Sequence, residues 1–274
     1  MILSLDLDGT LLTSDKKVPQ STREYLQELK NKGIIIVLNT GRMLPRALAP
    51  IGDTSFVNYI IADTGATIYN VDTKQVVSEL SISKEDGQKL FELSKDITSE
   101  FEVFTINEYY KYSKTNSDVE ENGIIINDYS DILNKAIKIT HITIDCKKQE
   151  YVDKFVEENK DKFEDLKVFA MIDSFGTEKW VEIIIKEAGK YKALAKLAQM
   201  LNIPAKNIIG FGDAINDLDV IQNSEVGVAM INAIPELRQS AKYVTEFSND
   251  EYGVERWLRK NLKSFTINFP YPLE

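Results

Sequence analysis

Asp6 and Asp8 directly follow a short apolar run near the start of the chain, in the segment LSLDLDGT. Residues two apart in an extended strand point to the same side, so both carboxylates are expected to share one face if the extended geometry continues past Leu5. Two bare carboxylates about 4 Å apart repel by roughly 4 kcal/mol at an effective dielectric near 20. Such a pair needs a nearby cation, or a proton on one group. By itself the segment also fits a turn that caps the strand, or a calcium loop.

A second acidic pair, Asp213 and Asp217, follows another apolar run in GFGDAINDLD. In a parallel sheet the carboxyl ends of the strands meet at one edge, where ligands bind. Four carboxylates at such an edge would form a site of hard oxygen ligands, which suits Mg²⁺. Asp217 alone could instead be an ordinary acidic residue in the first turn of a helix.

A third apolar run ends in NTGR, where Thr40 offers a hydroxyl and Gly41 leaves its backbone N–H approachable. Groups of this kind bind phosphate oxygens. By itself this signal is weak, and a plain turn would account for the segment.

A lysine near a predicted helix start is the fourth element, in GKYKALAKLAQML. Lys190 lies four residues before Leu194 and therefore falls on the apolar face, whereas Lys192 falls on the polar face. A cation near a helix N-terminus opposes the helix dipole, so an inward-facing one is expected to neutralise a carboxylate or a phosphate. Lys190 is therefore preferred over Lys192.

The net charge, the apolar stretches and the rare residue types argue against several classes of function. The 274 residues carry a net charge of −10 and no long run of Lys or Arg, which argues against nucleic-acid binding. No apolar stretch approaches the roughly 20 residues of a membrane span, and no signal peptide is recognisable. The single cysteine, Cys146, favours a cytoplasmic location, and the single histidine, His141, is interpreted as an ordinary strand residue. No protein partner is indicated.

The order of elements predicts an α/β fold, namely a doubly wound parallel sheet interrupted by an α+β insertion. Buried β-branched runs alternate with helices over residues 1–81 and again over 189–274. Between them, over 82–188, paired strands with an occasional helix indicate an antiparallel sheet. The role of the aromatic tail at 264–274 is left open.

The chain resembles the haloacid dehalogenase superfamily, in particular the Cof-like phosphatases that carry a type IIB cap. The resemblance rests on DLDGT, NTGR, the lysine of KYKAL and GDAIND, in this order and spacing, and on the closing segments GVAMINA and SNDEYGVERWL. The resemblance covers nearly the whole chain, although the cap is matched only by its size and by its pattern of predicted strands and helices.

The resemblance implies a role for each matching residue. Asp6 would be the nucleophile that forms an aspartyl-phosphate, and Asp8 would protonate the leaving oxygen and then activate water. Asp8 must hold a proton at the working pH, so its surroundings are expected to raise its pKa. The remaining groups fall into two sets. Mg²⁺ would be held by Asp6, the Asp8 main-chain carbonyl and Asp213, with Asp217 assisting; Thr40, Gly41, Lys190 and Asn216 would bind the phosphoryl oxygens.

The leading hypothesis is thus a Mg²⁺-dependent phosphatase of small phosphorylated metabolites, with sugar phosphates favoured. Two alternatives remain open: a phosphomutase, which shares fold and nucleophile, and a non-catalytic sensor of phosphorylated metabolites.

Overall fold

The computed structural model describes residues 1–115, 118–119, 122–172 and 177–265. The chain divides into two compact units. Unit 1 comprises Met1–Arg42, Arg46–Ser78 and the described residues from Gly189 onward, and unit 2 comprises Met43–Pro45 and Glu79–Ala188. The domain bounds inferred from the sequence stay a prediction. Most of the aromatic tail lies outside the described residues.

The described strands, in chain order, are β1 (Ile2–Leu5), β2 (Ile35–Asn39), β3 (Tyr59–Ala62), β4 (Thr67–Asn70), β5 (Gln75–Glu79), β6 (Thr98–Phe104), β7 (Tyr109–Ser113), β8 (Gly123–Ile125), β9 (His141–Cys146), β10 (Leu166–Ile172), β11 (Lys179–Ile185), β12 (Ile208–Gly212), β13 (Val226–Ala229) and β14 (Tyr243–Val244). The α-helices are α1 (Gln20–Asn31), α2 (Leu44–Leu48), α3 (Lys84–Ser94), α4 (Ser130–Leu133), α5 (Gln149–Asn159), α6 (Lys190–Met200), α7 (Leu218–Asn223), α8 (Pro235–Ser240) and α9 (Gly253–Phe265). Short three-residue turns lie at Asp63–Gly65, Ala205–Asn207, Ile215–Asp217 and Asn249–Glu251.

The sheet of unit 1 has the order β14-β13-β12-β1-β2-β3-β4-β5, and its strands from β14 to β3 run parallel. Strand β4 returns antiparallel to β3. The predicted parallel α/β fold is therefore confirmed.

The register of the central strands brings their carboxyl ends level. Leu5 of β1 pairs with Phe211 of β12 on one side and with Leu38 of β2 on the other. The residues that follow these three strands therefore emerge at one edge, as the parallel arrangement requires.

Helix α6 packs on the centre of this sheet. Its Leu194 and Leu197 are fully buried in one apolar cluster with Ile2 and Val37 of the two central strands. This burial fixes the helix against β1 and β2, so its first residue lies at the carboxyl edge of the sheet.

Unit 2 is built on a second sheet with the order β10-β11-β9-β6-β7-β8. Its pairs are antiparallel as predicted, except that β7 and β8 run parallel. Ser83 caps α3 by accepting the amide of Asp86 at 3.0 Å, as its capping-box pattern predicts. His141 begins β9 and stacks on Phe104 with ring centroids 4.1 Å apart, which agrees with a strand residue.

Within the described parts of the chain, no helix combines the length and the apolarity needed to cross a membrane.

Candidate active site

Three elements of unit 1 meet at Lys190, the first residue of α6. Its side chain is fully buried, and its Nζ donates to Oδ1 of Asp6 at 2.7 Å and to Oδ1 of Asp217 at 2.6 Å. The preference for Lys190 as the inward-facing lysine agrees with this burial, because Lys192 is exposed. One cation thus joins the acidic segments after β1 and after β12.

The acidic pair after β12 is held by main-chain and hydroxyl donors. The second oxygen of Asp217 accepts the amides of Asp213 at 3.0 Å and Ala214 at 3.2 Å. Asp213 accepts the hydroxyl of Thr10 at 3.0 Å. Asp217 therefore anchors its own loop, whereas Asp213 keeps an oxygen beside the loop that follows β1.

Asp6, Asp213 and Asp217 each offer one carboxylate oxygen, and these atoms lie within 4.8 Å of one another. Three hard anionic oxygens at that spacing are suited to a divalent cation with oxygen ligands. The loop after β1 can approach them because Gly9 has φ +71° and lacks a side chain, since a Cβ there would lie 2.3 Å from Oδ2 of Asp213.

The electrostatics of the cluster show why it needs positive charge. Burial and the charge of Asp217 raise the pKa of Asp6 well above its ordinary value, against the lowering effect of Lys190. Burial and the same neighbour raise the pKa of Asp213 to about 6. For Lys190, burial lowers the pKa, but the charges of Asp217 and Asp6 outweigh it and raise the pKa above its usual range. The single positive charge of Lys190 thus does not balance the negative charges of Asp6, Asp213 and Asp217.

Asp8 departs from both expectations made for it. The strand ends at Leu5, so Asp8 does not join Asp6 on one face of an extended segment. Its carboxylate instead accepts two hydrogen bonds from Arg42, at 2.6 and 2.7 Å, and one from Lys16 at 2.6 Å. Burial raises the pKa of Asp8, but hydrogen bonds from Arg42 and Lys16 outweigh it, and the net pKa is lowered rather than raised. The expectation of a raised pKa was wrong for this arrangement.

The segment after β2 lies beside the same edge. Thr40 is buried, and its hydroxyl accepts the amide of Arg42 at 3.1 Å. A Cβ built on Gly41 would lie 3.6 Å from Nδ2 of Asn216. Unit 1 thus brings Asn216 close to Gly41 and its neighbour Thr40, although Asn216 is far from both in the sequence.

Sequence reasoning missed several residues that shape this site. Arg42 stands in the NTGR segment, yet nothing local in that segment indicates that it pairs with Asp8. Asp219 accepts the amide of Tyr191 at 3.0 Å and so holds the start of α6. Asn232 donates to the carbonyl of Gly9 at 2.8 Å, which ties a distant loop to the segment after β1. Its place in the closing segment GVAMINA is the only sequence signal for that contact.

Comparison with known proteins identifies the family. A family model described as haloacid dehalogenase-like hydrolase matches residues 3–258. The chain belongs to the haloacid dehalogenase-like hydrolases. YxeH of Bacillus subtilis (strain 168), whose name gives phosphatase as a provisional activity, is 32% identical over 270 residues that cover 92% of this chain and 95% of that protein.

Two further comparisons extend this assignment. The phosphatase YwtE of Bacillus subtilis (strain 168), named for 5-amino-6-(5-phospho-D-ribitylamino)uracil, is 29% identical over 276 residues that cover 92% of this chain and 94% of that protein. The solved structure of the HAD subclass IIB sugar phosphatase BT4131 superimposes with a TM-score of 0.74 at 20% identity, over 94% of this chain and 97% of that one. The resemblance to Cof-like, capped members of the haloacid dehalogenase superfamily is thereby confirmed, and the enzyme class is that of the phosphoric monoester hydrolases.

Proposed function

We propose that this haloacid dehalogenase-like hydrolase is a Mg²⁺-dependent phosphatase that cleaves small phosphorylated metabolites through an aspartyl-phosphate on Asp6. The observation that carries the proposal is the buried Lys190, which contacts Asp6 and Asp217 while Asp213 lies within the same 4.8 Å group. Phosphoryl transfer depends mainly on positioning and on neutralising charge, and this cluster supplies both.

In the proposed reaction an oxygen of Asp6 attacks phosphorus as the bond from phosphorus to the ester oxygen breaks. Asp8 donates its proton to the leaving oxygen. It then takes a proton from water, whose oxygen attacks the aspartyl-phosphate, releases inorganic phosphate and regenerates the carboxylate of Asp6. Because Arg42 and Lys16 favour the ionised form of Asp8, Asp8 has to give up these partners before it can donate.

The residues present fit a divalent cation, since the donors are hard oxygens, and since burial and the charge of Asp217 raise the pKa of Asp213, whose ionised form a cation would stabilise. Asp6, Asp213 and the main-chain carbonyl of Asp8 would hold it. Asp217 would assist through hydrogen bonds, because its oxygens already accept Lys190 and two amides. When bound, Mg²⁺ would neutralise the carboxylates and withdraw charge from the phosphoryl group.

The phosphoryl oxygens would be bound by Thr40, the amide of Gly41, Lys190 and Asn216. Thr40 and Gly41 follow β2, Asn216 follows β12, and Lys190 begins α6 beside Asp6, so all four groups lie near the carboxyl edge of the unit 1 sheet.

Sugar phosphates and phosphorylated sugar alcohols are the substrate class that we favour. YwtE is named for a substrate with phosphate on a ribityl chain, and BT4131 is named as a sugar phosphatase. Both names describe a phosphorylated sugar or a phosphorylated sugar-alcohol chain.

A panel of phosphorylated metabolites assayed for phosphate release, with Mg²⁺ and with a chelator, tests the proposal. We expect release that requires Mg²⁺ and is greatest for phosphorylated sugars or sugar alcohols. Isomerised phosphosugar without free phosphate would instead indicate a mutase. Binding without turnover would indicate a sensor, and activity that survives chelation would contradict the metal requirement.

The raised pKa of Asp213 predicts a pH-dependent response to Mg²⁺. Since folding raises this pKa to about 6, the carboxyl adds stability to the metal-free protein at low pH, and that stability is lost as pH rises through 6. Mg²⁺ binds the ionised form, so its apparent affinity should fall about tenfold per pH unit below pH 6. Thermal unfolding with Mg²⁺ and with chelator, at about pH 5 and about pH 8, should show the larger Mg²⁺ stabilisation at the higher pH.

Asp213→Asn serves as the matched variant for this measurement. It should lose most of the Mg²⁺ stabilisation at both pH values and unfold with less pH dependence when metal is absent. An equal response of the wild-type protein to Mg²⁺ at both pH values would refute the prediction.

A further inference from the structure

The turn after β3 has an unusual backbone. Asp63, Thr64 and Gly65 have consecutive φ values of 51°, 52° and 94°. A glycine is required at the last of these, because a Cβ there would lie 2.3 Å from the carbonyl oxygen of Gly189. Thr64 is strained at its positive φ, because β-branched residues adopt such angles only as outliers.

Hydrogen bonds from this strained turn to carbonyl oxygens of the segment after β2 hold it in place. Asp63 donates its amide to the carbonyl of Arg42 at 2.9 Å, and Thr64 donates its amide to the carbonyl of Thr40 at 3.3 Å. Strained residues persist where the surroundings over-determine them, which occurs most often at functional sites. The turn is therefore attached to the segment proposed to bind phosphate.

The side chain of Thr64 points to Gly41. A Cβ built on Gly41 would meet two groups within 4 Å, the Thr64 hydroxyl oxygen at 3.5 Å and Nδ2 of Asn216 at 3.6 Å. Because both atoms lie that close to one point, they are no more than about 7 Å apart. A phosphoryl group can bridge such a gap, since each hydrogen bond spans roughly 2.8 Å.

We propose that Thr64 is a further substrate-positioning residue, whose hydroxyl donates to a phosphoryl oxygen held between it and the amide of Asn216 over Gly41. The inference rests on the proposed phosphatase function. It accounts for a hydroxyl-bearing residue at a left-handed position where glycine or asparagine would relieve the strain, since neither of those residues offers a hydroxyl.

The test compares Thr64→Val, which keeps the branched shape and removes the hydroxyl, with Thr64→Ser, which restores a hydroxyl. Thr73→Val makes the same chemical change at an exposed turn of unit 1. Calorimetric titration with inorganic phosphate, with and without Mg²⁺, gives a dissociation constant, and steady-state kinetics on a phosphate ester give KM and kcat separately.

We expect Thr64→Val to weaken phosphate binding about tenfold or more, because a hydrogen bond to a charged group is lost. The dissociation constant of Thr64→Ser for phosphate should lie within about threefold of the wild-type value. Thr73→Val should bind phosphate as tightly as the wild-type protein does. Gly41→Ala supplies a second variant. Its methyl group fits the ligand-free protein at ordinary contact distances but fills the proposed space, so it should also weaken phosphate binding.

Unchanged phosphate binding in folded Thr64→Val, or a wild-type protein that binds no phosphate, would overturn the proposal. If Thr64→Val were unfolded, wild-type phosphate affinity in Gly41→Ala would overturn it instead. A wild-type protein that binds phosphate through Thr64 but hydrolyses no ester in the panel would leave the positioning role intact and refute the phosphatase function.

Discussion

Asp6→Asn is expected to lower kcat for phosphate-ester hydrolysis by about four orders of magnitude or more. The amide cannot act as the attacking oxygen, yet it keeps the shape of the side chain and an oxygen that can accept from Lys190. Because Asp6 is buried among like charges that raise its pKa, loss of its charge should leave the metal-free protein at least as stable as wild type.

Phosphate release tests the expected loss of activity in Asp6→Asn, and thermal unfolding of the same preparations tests its expected stability. Asp72→Asn is the matched control, since it makes the same change at a carboxylate that forms a surface ion pair with Lys30 in unit 1. That variant should retain wild-type activity. A folded Asp6→Asn protein with more than about one hundredth of wild-type activity would exclude Asp6 as the nucleophile.

Lys190→Met is expected to destabilise the protein by about 3–5 kcal/mol at neutral pH. Lys190 is fully buried between two carboxylates at 2.7 and 2.6 Å, and its removal leaves buried negative charge without its internal cation. The loss of stability should become smaller as the pH falls, because protonation of Asp6 and Asp217 removes the repulsion between their carboxylates. Excess Mg²⁺ should restore part of the stability, and activity should fall about a hundredfold or more even when the protein is folded.

Urea unfolding with and without Mg²⁺ measures these effects, with Lys196→Met as the control on the exposed side of the same helix. The double variant Lys190→Met with Asp217→Asn should be more stable than Lys190→Met alone, since the second change removes one uncompensated charge. A Lys190→Met protein as stable as Lys196→Met would show that the lysine does not hold the acidic cluster together.

The pairing of Asp8 with Arg42 and Lys16 has a consequence for the proposed reaction. These hydrogen bonds favour the ionised form of Asp8, so the proposed cycle would require a second arrangement in which Asp8 is released and protonated. The sequence could not predict this, because the guanidinium of Arg42 reaches Asp8 from the segment after β2, which is distant in the sequence. The expectation of a raised pKa considered only the demand of the chemistry and not the neighbours that the fold supplies.

Local sequence patterns determined most of the architecture of unit 1. The β-branched runs, the amphipathic spacing of Leu194 and Leu197 and the parallel order together predict that the residues after β1, β2 and β12 lie at one edge. The physical reason is that side-chain periodicity and burial of apolar surface act over short stretches, and that parallel strands always present their carboxyl ends together. Lys190 was predicted to face inward on the same grounds.

Only the tertiary structure decided which charges pair and which turns are strained. The pairing of Lys190 with both Asp6 and Asp217, the capture of Asp8 by Arg42 and the left-handed Thr64 beside Gly41 each join segments that are distant in sequence. The parallel pairing of β7 with β8, where an antiparallel pair was predicted, is also a result of the tertiary structure alone. Such contacts depend on distances of a few ångströms between folded elements, and those distances determine pKa, strain and ligand geometry, whereas residue spacing along the chain does not contain them.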